Sequence, residues 1–125
     1  MKKILLIIFL CLLIGCSQIY NREQLSGKYV ANHPYGKDYL FLNIDGTYSY
    51  SFTDKNGETT TNENKWQLEH INKKTVLTFL HFDFALPDYG TDSAGYWVVE
   101  VKKSFAGNYR LIIDPDLNYY YEKVK

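Results

Sequence analysis

Apolar and polar side chains alternate with a period of two along most of this chain, and this alternation most limits how it can fold. It is clearest from Tyr39 to Phe52, where two alternating runs flank the segment Asn43-Ile44-Asp45-Gly46. Successive residues of a β-strand point to opposite faces, so a period of two is typical of a strand with one buried face. No window has the spacing of an amphipathic helix. We therefore predict an all-β fold.

The turn of this hairpin decides which of its side chains are buried. A two-residue turn at Asp45-Gly46 would put Leu40 and Leu42 on one face with two serines. A four-residue type I turn with Gly46 in the left-handed position instead groups both leucines with the aromatic rings of the second strand. Those rings belong to Tyr48, Tyr50 and Phe52. We predict this second register because it gives one consistently apolar face.

Six further alternating runs have the length of strands. They are Gly27–Ala31, Lys65–His70, Val76–Phe84, Tyr96–Lys103, Tyr109–Ile113 and Tyr119–Val124. The side chains expected inward are Trp66 and Leu68 in the second run, Leu80, Phe82 and Phe84 in the third, and Trp97, Val99 and Val101 in the fourth.

Most connections between these runs are short, which favours antiparallel pairing of consecutive strands. About eight short strands predict a small antiparallel meander that closes, fully or partly, into a barrel, with a two-sheet sandwich as the alternative. Two connections are longer: Asp54–Asn64, which could hold an edge strand or an exposed flap, and Pro87–Gly95. Long connections at a barrel mouth either bind partners or are solvated linkers.

The N-terminus follows a different pattern. Lys2 and Lys3 precede an apolar run from Ile4 to Ile14, as in a secretory signal, and the run is too short for a permanent membrane span. The segment Leu13-Ile14-Gly15-Cys16 resembles the lipobox of bacterial lipoproteins, which implies that Cys16 is acylated and becomes the first residue of the mature protein. We therefore expect a signal peptide over residues 1–15, a lipidated tether over 16–24 and one β-barrel domain over 25–125.

This resemblance also implies where the protein is found. Residue 17 is serine rather than aspartate, and in lipoproteins of bacteria with two membranes this sorts the chain to the outer membrane, facing the periplasm. In a host with one membrane, the extracellular face applies instead. The other cysteine, Cys11, lies in the leader, so the mature chain is expected to have no disulfide and no cysteine catalysis. The expected membrane partner is the lipid bilayer, through the acylated Cys16.

Three motifs resemble one family. Leu25-Ser26-Gly27-Lys28-Tyr29, Leu42-Asn43-Ile44-Asp45-Gly46-Thr47-Tyr48 and Lys65-Trp66-Gln67-Leu68 are similar to segments of small lipocalin-like lipoproteins of bacteria. In that family a Gly-x-Tyr strand precedes a DGTY hairpin and a Trp-bearing strand. The resemblance covers residues 25–80 and implies a lipocalin-like barrel. Copper-stress lipoproteins with a similar hairpin carry a Cys-x-x-Cys motif that this chain lacks, so no metal role is transferred.

Residue patterns that carry chemistry are missing from the sequence. Without Lys2 and Lys3, 12 of the 14 basic residues remain against 14 acidic ones, a net charge of −2, so no basic footprint for nucleic acid exists. No serine lies in a Gly-x-Ser-x-Gly context and no glycine loop could bind phosphate. We predict that the chain is not an enzyme and has no cofactor.

A metal site is not predicted either. His33, His70 and His81 are far apart, and His81 and Asp83 are expected on the wet face of a strand. The segments Asp54–Glu58 and Asp114–Asn118 alternate oxygen-bearing residues like a calcium loop. Both lack the glycine and the bidentate glutamate of an EF-hand, so we predict turns.

Tyrosines are the remaining candidates for recognition, because their rings combine apolar area with a polar tip. Tyr35, Tyr89 and Tyr96 lie in or beside loops and are candidates for a binding rim. Tyr119 and Tyr121 share one strand face and either bind a partner or plug the barrel.

The function expected from these patterns is a membrane-anchored, non-enzymatic binding module for an unknown small ligand or envelope protein. The alternative is an inhibitor or immunity lipoprotein that blocks a toxin or a hydrolase. A third possibility is an assembly lipoprotein for an envelope machine, which no specific residue pattern favours.

Overall fold

The computed structural model of the protein describes residues 19–34, 36–83 and 95–125. These residues form eight antiparallel strands that close into one barrel, in which each strand pairs with the next and the last pairs with the first. The strands are β1 (Gly27–Ala31), β2 (Lys37–Leu42), β3 (Thr47–Thr53), β4 (Thr59–Ile71), β5 (Lys74–Phe79), β6 (Trp97–Lys103), β7 (Tyr109–Asp114) and β8 (Tyr119–Lys123). A short helix, α1 (Arg22–Leu25), precedes β1.

This architecture confirms the predicted all-β meander and its closure into a barrel, and it excludes the sandwich. It is consistent with the lipocalin-like barrel that the family resemblance implied. Within the described ranges, no helix is both long and apolar enough to cross a membrane.

The register predicted for the first hairpin is confirmed. Leu42 lies opposite Tyr48 and Leu40 lies opposite Tyr50, and all four side chains are buried. Gly46 has a φ of +93°, which is left-handed backbone, and its N–H donates to the Asn43 carbonyl oxygen at 3.1 Å. The turn is therefore of the length that groups the leucines with the aromatic rings.

The carboxylate of Asp45 stabilises the same turn. One of its oxygens accepts hydrogen bonds from the hydroxyl of Thr47 at 2.7 Å and from the N–H of Thr47 at 3.0 Å. Both bonds favour the charged carboxylate and lower the pKa of Asp45.

Of the two alternatives for Asp54–Asn64, a strand rather than an exposed flap is observed, but it belongs to one long strand, β4, inside the closed barrel rather than at an edge. Residues 59–65 pair with β3, and residues 66–71 pair with β5. The turn before β4 is short because the Asp54 carboxylate accepts the N–H groups of Asn56 and Glu58 at 2.8 and 2.9 Å. The sequence pattern of residues 59–64 is polar because their side chains are exposed or half-buried.

The strand predicted over Val76–Phe84 is wrong in its C-terminal part. His81 has a φ of +52°, a left-handed conformation that an extended strand does not contain. Of the side chains predicted inward, Phe82 is buried as predicted, whereas Leu80 is only half-buried. The buried residues are Leu77, Phe79 and Phe82, whereas Phe84 lies outside the described residues.

Aromatic rings fill the described interior of the barrel. The ring of Phe82 lies 4.8 Å from those of Tyr50 and Trp97 and 5.6 Å from that of Phe79. Such spacings are those of closely packed aromatic pairs. The fully buried aromatic side chains are Trp66, Tyr29, Tyr48, Tyr50, Tyr121, Phe79 and Phe82.

The up-and-down strand order gives the barrel two different ends. We call the end with the β2–β3, β4–β5 and β6–β7 turns the base, and the end with the other four connections the rim. The segment Tyr20–Leu25 closes the base, where Leu25 is fully buried. The Tyr29 hydroxyl donates to the Leu25 carbonyl at 2.6 Å, and the Tyr20 N–H donates to Thr75 Oγ1 at 2.9 Å.

Residues 20–24, which the sequence interpretation assigned to the tether, belong to the folded body. Asn21 caps α1, and its side chain accepts the Gln24 N–H while the Gln24 side chain accepts the Asn21 N–H. This reciprocal cap satisfies the backbone donors of a helix that is too short to be stable alone.

A substitution at Gly46 tests the hairpin register. Gly46→Val should lower the free energy of unfolding by about 1–3 kcal/mol, because a β-branched residue is strained at this φ. A Cβ here would also lie 3.1 Å from a guanidinium nitrogen of Arg22. Ser49→Val, on the outer face of β3, is the control and should change stability by less than about 0.5 kcal/mol. Equal urea midpoints for the two variants would contradict the register.

Candidate functional site

Three polar side chains meet inside the barrel near the rim. The Tyr121 hydroxyl donates to Asp38 Oδ1 at 2.7 Å, and His33 Nε2 lies 2.8 Å from Asp38 Oδ2. All three residues are buried, with exposed fractions of 0% for Tyr121, 3% for Asp38 and 5% for His33. We call these three residues the rim cluster. It joins three parts of the chain: the connection after β1, strand β2 and strand β8.

The chemistry of the rim cluster is that of a satisfied buried carboxylate. Asp38 accepts on both oxygens, which offsets the cost of removing its charge from water. Burial, followed by the charge of Asp38, raises the pKa of Tyr121 well above its usual value. The phenol therefore stays protonated and serves as a donor, so the cluster holds the connection after β1 against β2 and β8.

Aromatic rings flank the rim cluster. The His33 ring lies 6.1 Å from the ring of Tyr119 and 6.3 Å from that of Phe52, measured between centroids. Tyr119 is half-buried at the start of β8. The cluster thus continues toward the surface as an aromatic edge of the rim.

The tyrosines predicted as recognition residues fall into three groups. Tyr119 and Tyr121 come together with His33 and Asp38, but Tyr121 is buried and its hydroxyl is bonded to Asp38. Tyr96 is 57% exposed, and its ring stacks 6.3 Å from that of His81. Tyr35 and Tyr89 lie outside the described residues, as does Cys16.

Asp38 was missed by the sequence interpretation, although the sequence contains its signal. In the register of β2, Asp38 shares the inward face with Leu40 and Leu42 and lies opposite Phe52. A carboxylate at an inward position of a small barrel needs buried donors. Its donor Tyr121 is 83 residues away in sequence, so local patterns could not identify it.

The acidic segments that resemble calcium loops act as turns. Asp114 Oδ1 accepts the N–H groups of Asp116 and Leu117 at 3.0 and 3.4 Å, as Asp54 does in its own turn. His70 Nε2 lies 3.0 Å from the Tyr20 carbonyl oxygen. Over residues 19–34, 36–83 and 95–125, no group of three or more His, Cys, Asp or Glu side chains could hold a metal ion.

Comparisons of the chain with protein-family models, with curated proteins and with solved structures find no match.

Removal of the central carboxylate tests the rim cluster. Asp38→Ala should lower the free energy of unfolding by about 3–5 kcal/mol, because it removes the acceptor of two buried groups. Tyr121→Phe deletes one hydrogen bond to a charge and should cost about 1.5–3 kcal/mol. Asp116→Ala, on an exposed turn, is the control for a lost carboxylate and should cost less than about 0.5 kcal/mol. Urea midpoints that do not distinguish Asp38→Ala from Asp116→Ala would show that the cluster contributes nothing.

Buried tyrosines predict a loss of stability at alkaline pH. Burial raises the pKa of Tyr48 to about 12 and also raises the pKa of Tyr29 and Tyr121. In the unfolded chain these hydroxyls ionise near pH 10, so above pH 10 the unfolded state binds fewer protons. The contribution of these tyrosines to the free energy of unfolding should be fully present below pH 10. It should be lost between pH 10 and 12, by about 1.4 kcal/mol per pH unit for each such tyrosine.

Urea midpoints measured between pH 8 and 12 check this decline. Tyr48→Phe should reduce the slope of the unfolding free energy against pH by about 1.4 kcal/mol per pH unit, which is the contribution of one tyrosine. Tyr96→Phe changes an exposed ring and should leave the slope as it is. The same slope for both variants would contradict the role of buried tyrosines.

Proposed function

We propose that this protein is a lipid-anchored lipoprotein of the bacterial envelope that acts as a non-enzymatic binding module. Its anchor is the acylated Cys16, its base faces the membrane, and its rim faces a ligand or protein of the envelope. In a bacterium with two membranes, this is the outer membrane on its periplasmic side.

The docking of Tyr20 on the base is the observation that carries this proposal. Tyr20 is buried at 8% exposure and its N–H is bonded to Thr75. Cys16 precedes Tyr20 by four residues, so a fully extended chain between them spans no more than about 14 Å. Acyl chains on Cys16 would therefore hold the base near the bilayer.

The rim then points away from the membrane, and three of its features suit recognition. The rim cluster fixes the connection after β1 to β2 and β8, which lowers the entropy cost of binding. Tyr96 and Leu117 are each 57% exposed. The connection from β5 to β6, residues 80–96, is the longest in the barrel, and long connections on a rigid barrel are a common place for binding residues.

Charge indicates the chemistry of the partner. The four rim connections, residues 32–36, 54–58, 80–96 and 115–118, contain six acidic residues and one lysine. The acidic residues are Asp54, Glu58, Asp83, Asp88, Asp92 and Asp116. A negative rim favours a partner that carries positive charge. An inhibitor or immunity lipoprotein that covers the basic site of a toxin or hydrolase is the second form of the same proposal.

Native mass spectrometry of the protein, extracted gently from its own membrane, tests this function. In the native spectrum we expect additional mass bound to the intact chain. In a tryptic digest of the same sample we expect a peptide that begins at Cys16 and carries diacylglyceryl mass. A few hundred daltons would indicate a small ligand, and a polypeptide would indicate a protein partner. A toxin or hydrolase as that polypeptide would support the inhibitor form.

Variants locate the binding surface. Leu117→Arg combined with Asp116→Lys lowers the formal negative charge of the rim connections from −5 to −2 and should remove the bound mass. Ser49→Arg, on the outer wall of β3, should retain it. An unmodified Cys16 would contradict the anchor, and a chain that carries only its acyl chains would contradict stable binding.

A further inference from the structure

Exposed apolar residues and lysines are concentrated on one side of the base. Ile71 is 47% exposed at the end of β4, and Phe105 in the β6–β7 turn is fully exposed. We call Ile71, Lys73, Lys74, Lys102, Lys103 and Phe105 the base patch. Because β5 pairs with β6, the two turns that carry these residues are neighbours on the barrel.

The two turns that carry Ile71 and Phe105 are tight. In the β6–β7 turn, the Gly107 N–H donates to the Ser104 carbonyl at 2.9 Å and the Ser104 N–H donates to the Asn108 carbonyl at 2.8 Å. In the β4–β5 turn, Asn72 and Lys73 both have left-handed backbone, with φ of 51° and 63°, as in a tight type I′ hairpin.

The base patch and the rim connections carry opposite charge. Residues 71–74 and 102–108 contain four lysines and no acidic residue, whereas the rim connections are predominantly acidic. The Lys103 ammonium lies 5.6 Å from the ring of Tyr20, and Lys74 makes only a 3.7 Å ion pair with Glu100, in which both side chains are partly exposed. Ion pairs of this exposed kind are weak, so the base patch remains a positive surface.

The first described residues of the chain, Ile19 and Tyr20, lie beside this patch. Tyr20 is bonded to Thr75 at the start of β5, and its ring makes an edge contact at 5.0 Å with Tyr109 at the start of β7. Ile19, the next residue toward Cys16, is 49% exposed. Ile19 and Tyr20 therefore lie beside the two turns of the base patch.

We infer that the base patch docks on an anionic phospholipid surface. The Phe105 ring and the Ile71 side chain enter the boundary between headgroups and acyl chains, and the four lysines bind lipid phosphates. An aromatic tip flanked by lysines matches such a surface in both charge and polarity. The inference rests on the proposed anchor, and it adds a specific second contact that fixes the orientation of the barrel.

Fluorescence of the mature acylated protein on vesicles tests the docking. Ala106→Cys, beside Phe105, and Asn56→Cys, in a rim turn, each introduce one thiol for an environment-sensitive nitrobenzoxadiazole dye. The vesicles contain phosphatidylcholine, with or without 30% phosphatidylglycerol, and a nitroxide-labelled lipid as quencher. On the anionic vesicles, emission at position 106 should shift to the blue and be quenched, whereas position 56 should be unaffected.

Charge variants provide the matched comparison. Lys73→Glu with Lys102→Glu should reduce the ratio of docked to undocked protein by at least about 25-fold, since each lysine near an anionic surface contributes about fivefold. Lys37→Glu with Lys55→Glu makes the same charge change at the rim and should leave docking intact. Phe105→Ser should weaken quenching at position 106, and Leu117→Ser should not.

The anchor and the docking can fail separately. Sedimentation with uncharged vesicles reports the acyl anchor alone. Loss of that binding would contradict the proposed function but would not bear on the docking of the base patch. Equal emission at positions 106 and 56 on anionic vesicles would overturn the docking. The dye at position 106 could instead stay in water, while an acidic polypeptide that copurifies with the protein is lost in the variant Lys73→Glu with Lys102→Glu. That result would show that the base patch binds a protein instead of lipid.

Discussion

The left-handed backbone at Gly46 sets the register of β2 against β3, and much of the remaining structure depends on this one turn. A shift of one residue would turn the inward rings of β3 toward solvent, on the face opposite to Leu40 and Leu42. The turn also holds β4, because the Trp66 N–H donates to the Gly46 carbonyl at 2.9 Å and Trp66 Nε1 donates to the Asn43 carbonyl at 3.0 Å. The guanidinium of Arg22 in α1 lies 5.2 Å from the centre of the Trp66 ring. The β2–β3 hairpin, strand β4 and helix α1 therefore contact one another at this turn.

The two ends of the barrel differ in chemistry for the same topological reason. Odd-numbered and even-numbered connections of an up-and-down barrel open on opposite sides, so residues scattered along the chain are sorted into two surfaces. The base combines lysines with exposed Ile71 and Phe105, and the rim combines acidic residues with the buried bonds of Asp38. Such a charge separation gives the molecule a preferred orientation near a charged surface. In our proposals, membrane contact belongs to the base and recognition to the rim.

Local patterns predicted the parts of the fold that local chemistry decides. The Gly46 turn and the strand Gly27–Ala31 follow from alternation and turn residues, and both have the predicted bounds. The end of β5 does not follow from alternation, because alternation continues to Phe84 in sequence whereas the left-handed backbone at His81 is incompatible with an extended strand. Residues 59–64 have polar side chains on a backbone that still pairs with β3, and composition alone does not reveal such pairing. The rim cluster depends on Tyr121 and Asp38, which only barrel closure brings together.

Hydrogen–deuterium exchange of the acylated protein, with and without anionic vesicles, tests the central claim of a membrane-facing base and an outward rim. We predict slower exchange on the vesicles for the amides of residues 71–74 and 104–108, and unchanged exchange for residues 54–58 and 115–118. Protection of the two rim segments, or of none of these amides, would contradict this orientation.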